Sequence, residues 1–200
     1  MNSIIYIEGG GDSREVNSRC REGFRKLLTR CNDYARRMPR LVACGGRGAA
    51  FDAFKTALVS ATARDFVALW IDSEEPLTDL EAAWTHLRGR DQWEKPDGAT
   101  DEQVLFMTTC METWIIADRA TLAEHYGTDL QESALPPLVD LEKKSRVAVQ
   151  NALIHATREC ANAYSKGKRS FELLGKLDPA TLSRSLPSFA RVRRILNASL

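Results

Sequence analysis

The sequence predicts an α/β fold: a parallel sheet of about four strands flanked by helices, followed by a helical C-terminal portion. Three observations predict it. Short, continuous apolar runs recur at Ser3 to Ile7, Arg40 to Cys44 and Phe66 to Ile71, as expected of strands buried on both faces. Stretches with helical spacing separate them, so each strand-helix-strand unit fits the right-handed crossover of a parallel sheet. Beyond Pro136-Pro137 the short runs stop and only helical spacing remains.

Each element follows in order. Ser3 to Ile7 runs into Glu8 and three glycines, after which Asp12 or Ser13 offers an N-cap. Arg14 to Cys31 reads as a helix, with Val16, Cys20, Phe24, Leu27 and Leu28 on one face and Arg and Lys on the other. Arg40 to Cys44 is the second strand, closed by Gly45-Gly46. Ala49 to Ser60 has Phe51, Phe54 and Leu58 at helical spacing, and Phe66 to Ile71 is the most hydrophobic strand. Residues 73–103 hold two prolines, two tryptophans and many charges, which predicts a long excursion with a short helix at Leu80 to Leu87. Val104 to Met107 is a fourth strand, and Cys110 opens a helix that continues to about Tyr126. Leu141 to Cys160, Phe171 to Leu177 and Phe189 to Leu196 then read as helical. We read residues 1–135 as the α/β domain and residues 136–200 as a helical extension packed on it.

Bulk properties exclude several classes. A net charge of +1 over 200 residues gives no global field toward nucleic acid or anionic membrane, so any basic surface is local. No apolar run approaches the ~18 residues of a membrane span. The chain opens directly into a strand, without the features of a secretory signal. Its five cysteines show no C-x-x-C spacing and no zinc-like pattern with histidine, which predicts reduced, buried thiols in a cytoplasmic protein.

Chemistry concentrates at the strand ends. Ligands of open parallel sheets bind at the carboxyl ends of the strands. The first strand ends on Glu8, and the third on Asp72 with Glu74 two residues later. If these strands are neighbours, three carboxylates converge, joined by Asp12 from the glycine turn. Like charges so close raise one another's pKa unless a cation neutralises them, and hard oxygen ligands favour Mg²⁺ or Mn²⁺. Gly9, Gly10 and Gly11 would then bare their amides to a phosphate. The competing reading is structural: acids at strand ends commonly cap helices, and the glycines turn the chain.

The stretch E8-G-G-G-D12 after an apolar strand, with D72-S-E74 after a later one, resembles the Toprim domain of topoisomerases, primases and OLD-family nucleases. The likeness covers roughly the first 75 residues well and the first 115 loosely. It implies that Glu8 is a metal ligand or general acid/base, that Asp72 is a metal ligand, and that Asp12 serves a second metal. Glu74 stands in place of the family's second Asp, keeping a carboxylate with one more methylene. The glycine that often follows the D-x-D pattern is replaced by E75-P-L, and neither an active-site Tyr nor zinc-binding cysteines accompany it. The resemblance therefore points to the nuclease branch. The wider sequence, including Y-I-E-G-G-G-D-S, M-E-T-W-I-I-A-D and Y-S-K-G-K-R-S-F-E, is similar to an uncharacterised bacterial family of Toprim-like proteins. Members and relatives of that family sit beside ABC-type or AAA ATPases in anti-phage systems, which implies an ATPase partner.

Other residues are weighed individually. Glu112, among apolar neighbours, is either a further ligand or a first-turn acid favourable to its helix dipole. In Y164-S-K-G-K-R-S170, Lys166, Lys168 and Arg169 offer cations to a phosphate or nucleic-acid backbone, with Lys168 placed to stabilise charge on a phosphoryl group. Arg47 in the second glycine-rich loop is a phosphate contact or part of a turn. Arg191, Arg193 and Arg194 read as the polar face of the last helix. Trp84 and Trp93 read as packing residues rather than base-stacking platforms, and His86, His125 and His155 receive no role. Three functions follow: a Mg²⁺-dependent phosphodiesterase acting on DNA or RNA, a binding module that docks an ATPase, and a nucleotide-processing enzyme or sensor.

Overall fold

Four parallel strands, β1 (Ser3–Ile7), β2 (Arg40–Ala43), β3 (Phe66–Asp72) and β4 (Val104–Met107), form one sheet in the order β2-β1-β3-β4 in this computed structural model. The structure describes residues 2–11, 13–31, 34 and 37–200. All seven residues of β3 are buried, because the strand has neighbours on both edges and helices on both faces. Its side chains alternate: Ala68 and Trp70 enter one core, Val67, Leu69 and Ile71 the other.

From β1 the chain crosses to β2 through α1 (Arg14–Arg30), then returns past β1 to β3 through α2 (Arg47–Ser60). The strand order therefore reverses between β1 and β3, the place where open α/β sheets present a crevice. Helix α1 begins with the Ser13 hydroxyl accepting from the Val16 amide at 3.2 Å and buries Cys20, Gly23, Phe24, Leu27 and Leu28. Gly23 is required by contact: a Cβ there would lie 2.4 Å from the Phe171 carbonyl oxygen on α7 (Lys168–Leu174).

The excursion after β3 contains α3 (Ala83–Asp91), which starts three residues and ends four residues later than the sequence spacing predicts. Both tryptophans pack: Trp84 donates its indole N–H to the Thr100 carbonyl at 3.0 Å, and Trp93 stacks on Phe51 with centroids 4.1 Å apart. The helix expected over 110–126 is two, α4 (Met111–Ala117) and α5 (Arg119–Tyr126). Asp118 divides them because its buried carboxylate accepts from the Thr121 amide, the Thr121 hydroxyl and the Asp178 amide, 3.1, 2.8 and 2.8 Å away.

After α6 (Arg146–Ala156) and α7, two helices close the fold: α8 (Pro179–Ser185), absent from the sequence reading, and α9 (Pro187–Ser199). The segment expected to be helical from Leu141 begins instead with a single 3-10 turn, Leu141–Lys143, before α6. Residues from all four helices share one apolar core with β1 and α1. Arg191, expected on a polar face, is buried instead. Its guanidinium donates to the Val104 and Asp101 carbonyls, both at 2.8 Å, and so satisfies backbone at the start of edge strand β4. The five cysteines are free thiols, four of them buried, and burial pushes Cys20 up to about 12. No helix among the described residues is long and apolar enough to cross a membrane.

Candidate metal centre

Glu8 follows β1 directly and Asp72 ends the adjacent β3, so strand pairing alone brings them together. The Glu8 amide donates to the Trp70 carbonyl at 2.8 Å, and the Asp72 amide donates to Glu8 Oε2 at 3.2 Å. Glu74 joins them through a left-handed backbone, φ 68°, fixed by its amide donating to the Thr109 carbonyl at 2.9 Å. One carboxylate oxygen from each of Glu8, Asp72 and Glu74 lies within 4.8 Å of the other two.

Asp72 is the most constrained. It is 9% exposed, and its Oδ1 accepts from the Met111 amide at the start of α4, 3.0 Å away. Burial, then the charges of Glu8 and Glu112, push its pKa up to about 8, although Arg146 and Lys166 act in the opposite direction. Glu112 lies on the first turn of α4, 2% exposed, with the Tyr164 hydroxyl donating to its Oε1 at 2.7 Å and Lys166 Nζ 4.0 Å away. Burial and this carboxylate push the Tyr164 hydroxyl pKa up. Glu8, Gly10, Asp72, Glu112, Arg146 and Lys166 face a common cavity of about 180 Å³. Wider hollows of about 390 and 510 Å³ sit at the opposite, amino end of the strands, where the described residues form no comparable ligand group.

Three arginines supply the counter-charge. Arg47, the first residue of α2, grips Asp91 with Nε at 3.0 Å and a terminal nitrogen at 2.8 Å, and lies over the Trp93 ring at 5.1 Å. Its other terminal nitrogen reaches Glu8 Oε2 at 3.3 Å and the Asp72 carbonyl. Arg90 approaches Glu74 Oε2 at 3.7 Å. Arg146, the first residue of α6, contacts Glu74 Oε1 and stands 3.7 Å from Asp72 Oδ2.

The remaining predicted residues scatter. Lys166 lines the cavity, but Lys168 pairs with Glu15 at 2.6 Å on the outer surface, both side chains more than half exposed. Asp12 lies outside the described residues. The glycine amides are largely engaged: Gly9 and Gly45 exchange both backbone bonds at 2.9 Å, and Gly11 donates to Asn17 Oδ1 at 3.1 Å. Only the Gly10 amide lacks a partner among the described residues. The triglycine is required first by backbone shape, with φ 142° at Gly9 and 92° at Gly10, where a Cβ would fall 2.0 Å from Asn17 Oδ1. Arg47, with Asp91 and Trp93 holding it, is an anchor within the fold.

Sequence reasoning missed Arg90, Asp91 and Arg146. Arg146 carried a readable signal. It opens α6 with no acid in the first turn, and a cation at a helix N-terminus is disfavoured by about 0.3–1 kcal/mol.

A model of one protein family, described as a domain of unknown function (DUF4276), matches residues 7–197. The chain belongs to this family. No curated protein and no solved structure matches it. The DUF4276 match takes in every described acid of the centre together with α6 to α8 and most of α9.

Proposed function

We propose that the chain is a Toprim-type phosphodiesterase, a nuclease acting on DNA or RNA, in which Glu8, Asp72 and Glu74 hold Mg²⁺ or Mn²⁺. The observation that carries this reading is the meeting of three carboxylates within 4.8 Å at the reversal of strand order. The donor set fits such a cation: every ligand atom is a hard oxygen, and buried Asp72 is held away from its charged form without one. When bound, the cation supplies Lewis-acid polarisation of a phosphoryl oxygen and lowers the pKa of a coordinated water. The chain's own residues do the positioning. Arg47 and the Asp72 amide orient Glu8, the Met111 amide orients Asp72, and Lys166 offers charge to a phosphate entering the cavity.

The test is cleavage of labelled single- and double-stranded DNA and RNA with Mn²⁺ by the wild type and by Glu8→Gln/Asp72→Asn. Metal-dependent cleavage lost in the folded double variant is expected. Cleavage retained by that variant refutes the assignment.

One observation favours a second reading. Arg47, Arg90 and Arg146 already neutralise the acids, which suits a Toprim-fold module that docks an ABC- or AAA-type ATPase in a phage-defence system and has little catalysis of its own. Co-purification with such an ATPase, without cleavage by either protein alone, would favour it. The nucleotide-sensor reading gains less, because about 180 Å³ is small beside the ~300–1,000 Å³ of pockets that enclose small ligands.

A further inference from the structure

Arg146 sits where the proposed cation would need to bind. Its guanidinium contacts Glu74 Oε1 and lies 3.7 Å from Asp72 Oδ2, two of the three carboxylates in the ligand group. A guanidinium and a divalent ion seek the same oxygen lone pairs, so one must give way as the other binds. Arg146 forms ion pairs with those acids alone and otherwise donates its Nε to the Gln150 side-chain oxygen at 3.2 Å, a neutral partner on its own helix, in contrast to Arg47, which acidic Asp91 grips with two bonds and the Trp93 ring flanks. Nor does its own helix favour the position, because Arg146 opens α6 against the helix dipole.

We propose that Arg146 is an exchangeable ligand: it holds Asp72 and Glu74 while the centre lacks a cation, and on cation uptake it is released to bind the substrate phosphate. This rests on the cation-dependent phosphodiesterase reading and deepens it. The displaced guanidinium has a destination. Arg146 already lines the cavity with Lys166 and Gly10, whose amide is unpartnered among the described residues. Together they add two cations and a free N–H donor to the cavity that Glu8 and Asp72 also line. Its planar fork also suits bidentate capture of a phosphate, which an ammonium cannot reproduce. Substrate and cation would therefore bind with positive coupling, each favouring the arginine position that the other needs.

The experiment uses the full chain, with Mn²⁺ affinity measured by calorimetry and inorganic phosphate as the anion probe. Arg146→Gln removes the competitor, so its Mn²⁺ affinity should rise about tenfold, the scale of one charge-assisted hydrogen bond. Phosphate binding to the Mn²⁺-loaded protein should fall by a similar factor. Arg146→Lys keeps the charge without the fork, so it should bind Mn²⁺ nearly as the wild type does while losing most phosphate affinity; it also serves as the control if Arg146→Gln folds poorly. If the wild type binds Mn²⁺ and Arg146→Gln binds no tighter, the exchange is overturned while the cation centre stands. If neither protein binds Mn²⁺, the centre and the exchange fall together.

Discussion

Replacing Asp72 with Asn should stabilise the cation-free protein, even though it removes a proposed ligand. Asp72 holds its proton to about pH 8 in the folded chain, against an ordinary value of 3.8. The native state thus binds the proton more tightly than the unfolded state. The stability that Asp72 contributes is therefore complete below about pH 4 and is lost as the pH rises toward 8, the reverse of an ordinary salt-bridged acid. The interval from 3.8 to about 8 corresponds to ~6 kcal/mol at full ionisation. An Asn would keep an oxygen for the Met111 amide but lose the charge facing Arg146, so the net gain is smaller, about 1–3 kcal/mol. For a chain of this size that is a Tm higher by about 3–10 °C. Thermal melts in EDTA at about pH 5 and about pH 9 provide the assay, with the two proteins close at the lower pH and separated at the higher. Adding Mn²⁺ should raise the wild type, by ~2.7 kcal/mol at a hundredfold excess over Kd, and leave Asp72→Asn nearly unmoved. A variant that melts below the wild type in EDTA at the higher pH would refute the reasoning, because the pair with Arg146 would then outweigh the cost of burying the charge.

Three further outcomes are expected. Gly10→Ala should lower stability by about 2–3 kcal/mol in urea denaturation, since it meets both a left-handed backbone and Asn17 Oδ1, and adding Asn17→Ala should restore only part of the loss. Arg47→Lys should cost about 2–4 kcal/mol by the same measurement, because a lysine cannot hold Asp91 with two bonds and reach Glu8 as well; a variant as stable as the wild type would dismiss the clamp. Tyr164→Phe should cost about 1–3 kcal/mol in thermal melts, because buried Glu112 loses the hydroxyl 2.7 Å away.

The strands were legible because burial on both faces requires an unbroken apolar run; Val104–Met107 matches the sequence reading residue for residue. Glu8 and Asp72 were legible for a related reason, since strand ends at a reversal of strand order are where side chains can meet outside the core. Helix boundaries were less so. Asp118 lies inside an otherwise helical stretch, and its reason for breaking that stretch includes the Asp178 amide, sixty positions away. Helix α8 did carry a start signal, Asp178 as cap and Pro179 at the first helical position. The cations were the hardest to read. Lys168 has the composition of a phosphate ligand yet turns to Glu15, while Arg90 and Arg146 reach the acids only because α3 and α6 pack where they do. Spacing within a segment says nothing about that approach.

Topology and charge together explain why the centre takes this form. Adjacent strands stand about 4.8 Å apart. Had β2 been inserted between β1 and β3, Glu8 and Asp72 would start two strand widths apart, too far to share one ion with short side chains. Adjacency solves that problem and creates another, because three carboxylates within 4.8 Å repel in a partly buried site. The fold answers with guanidinium groups of two kinds. Arg47 is fixed by Asp91 and Trp93 and keeps Glu8 aimed, whereas the ion pairs of Arg146 are made only with acids of the centre, beside one contact to the Gln150 side-chain amide. A centre built with only the fixed kind would resist every cation, and one with neither would strain the fold before a cation arrived.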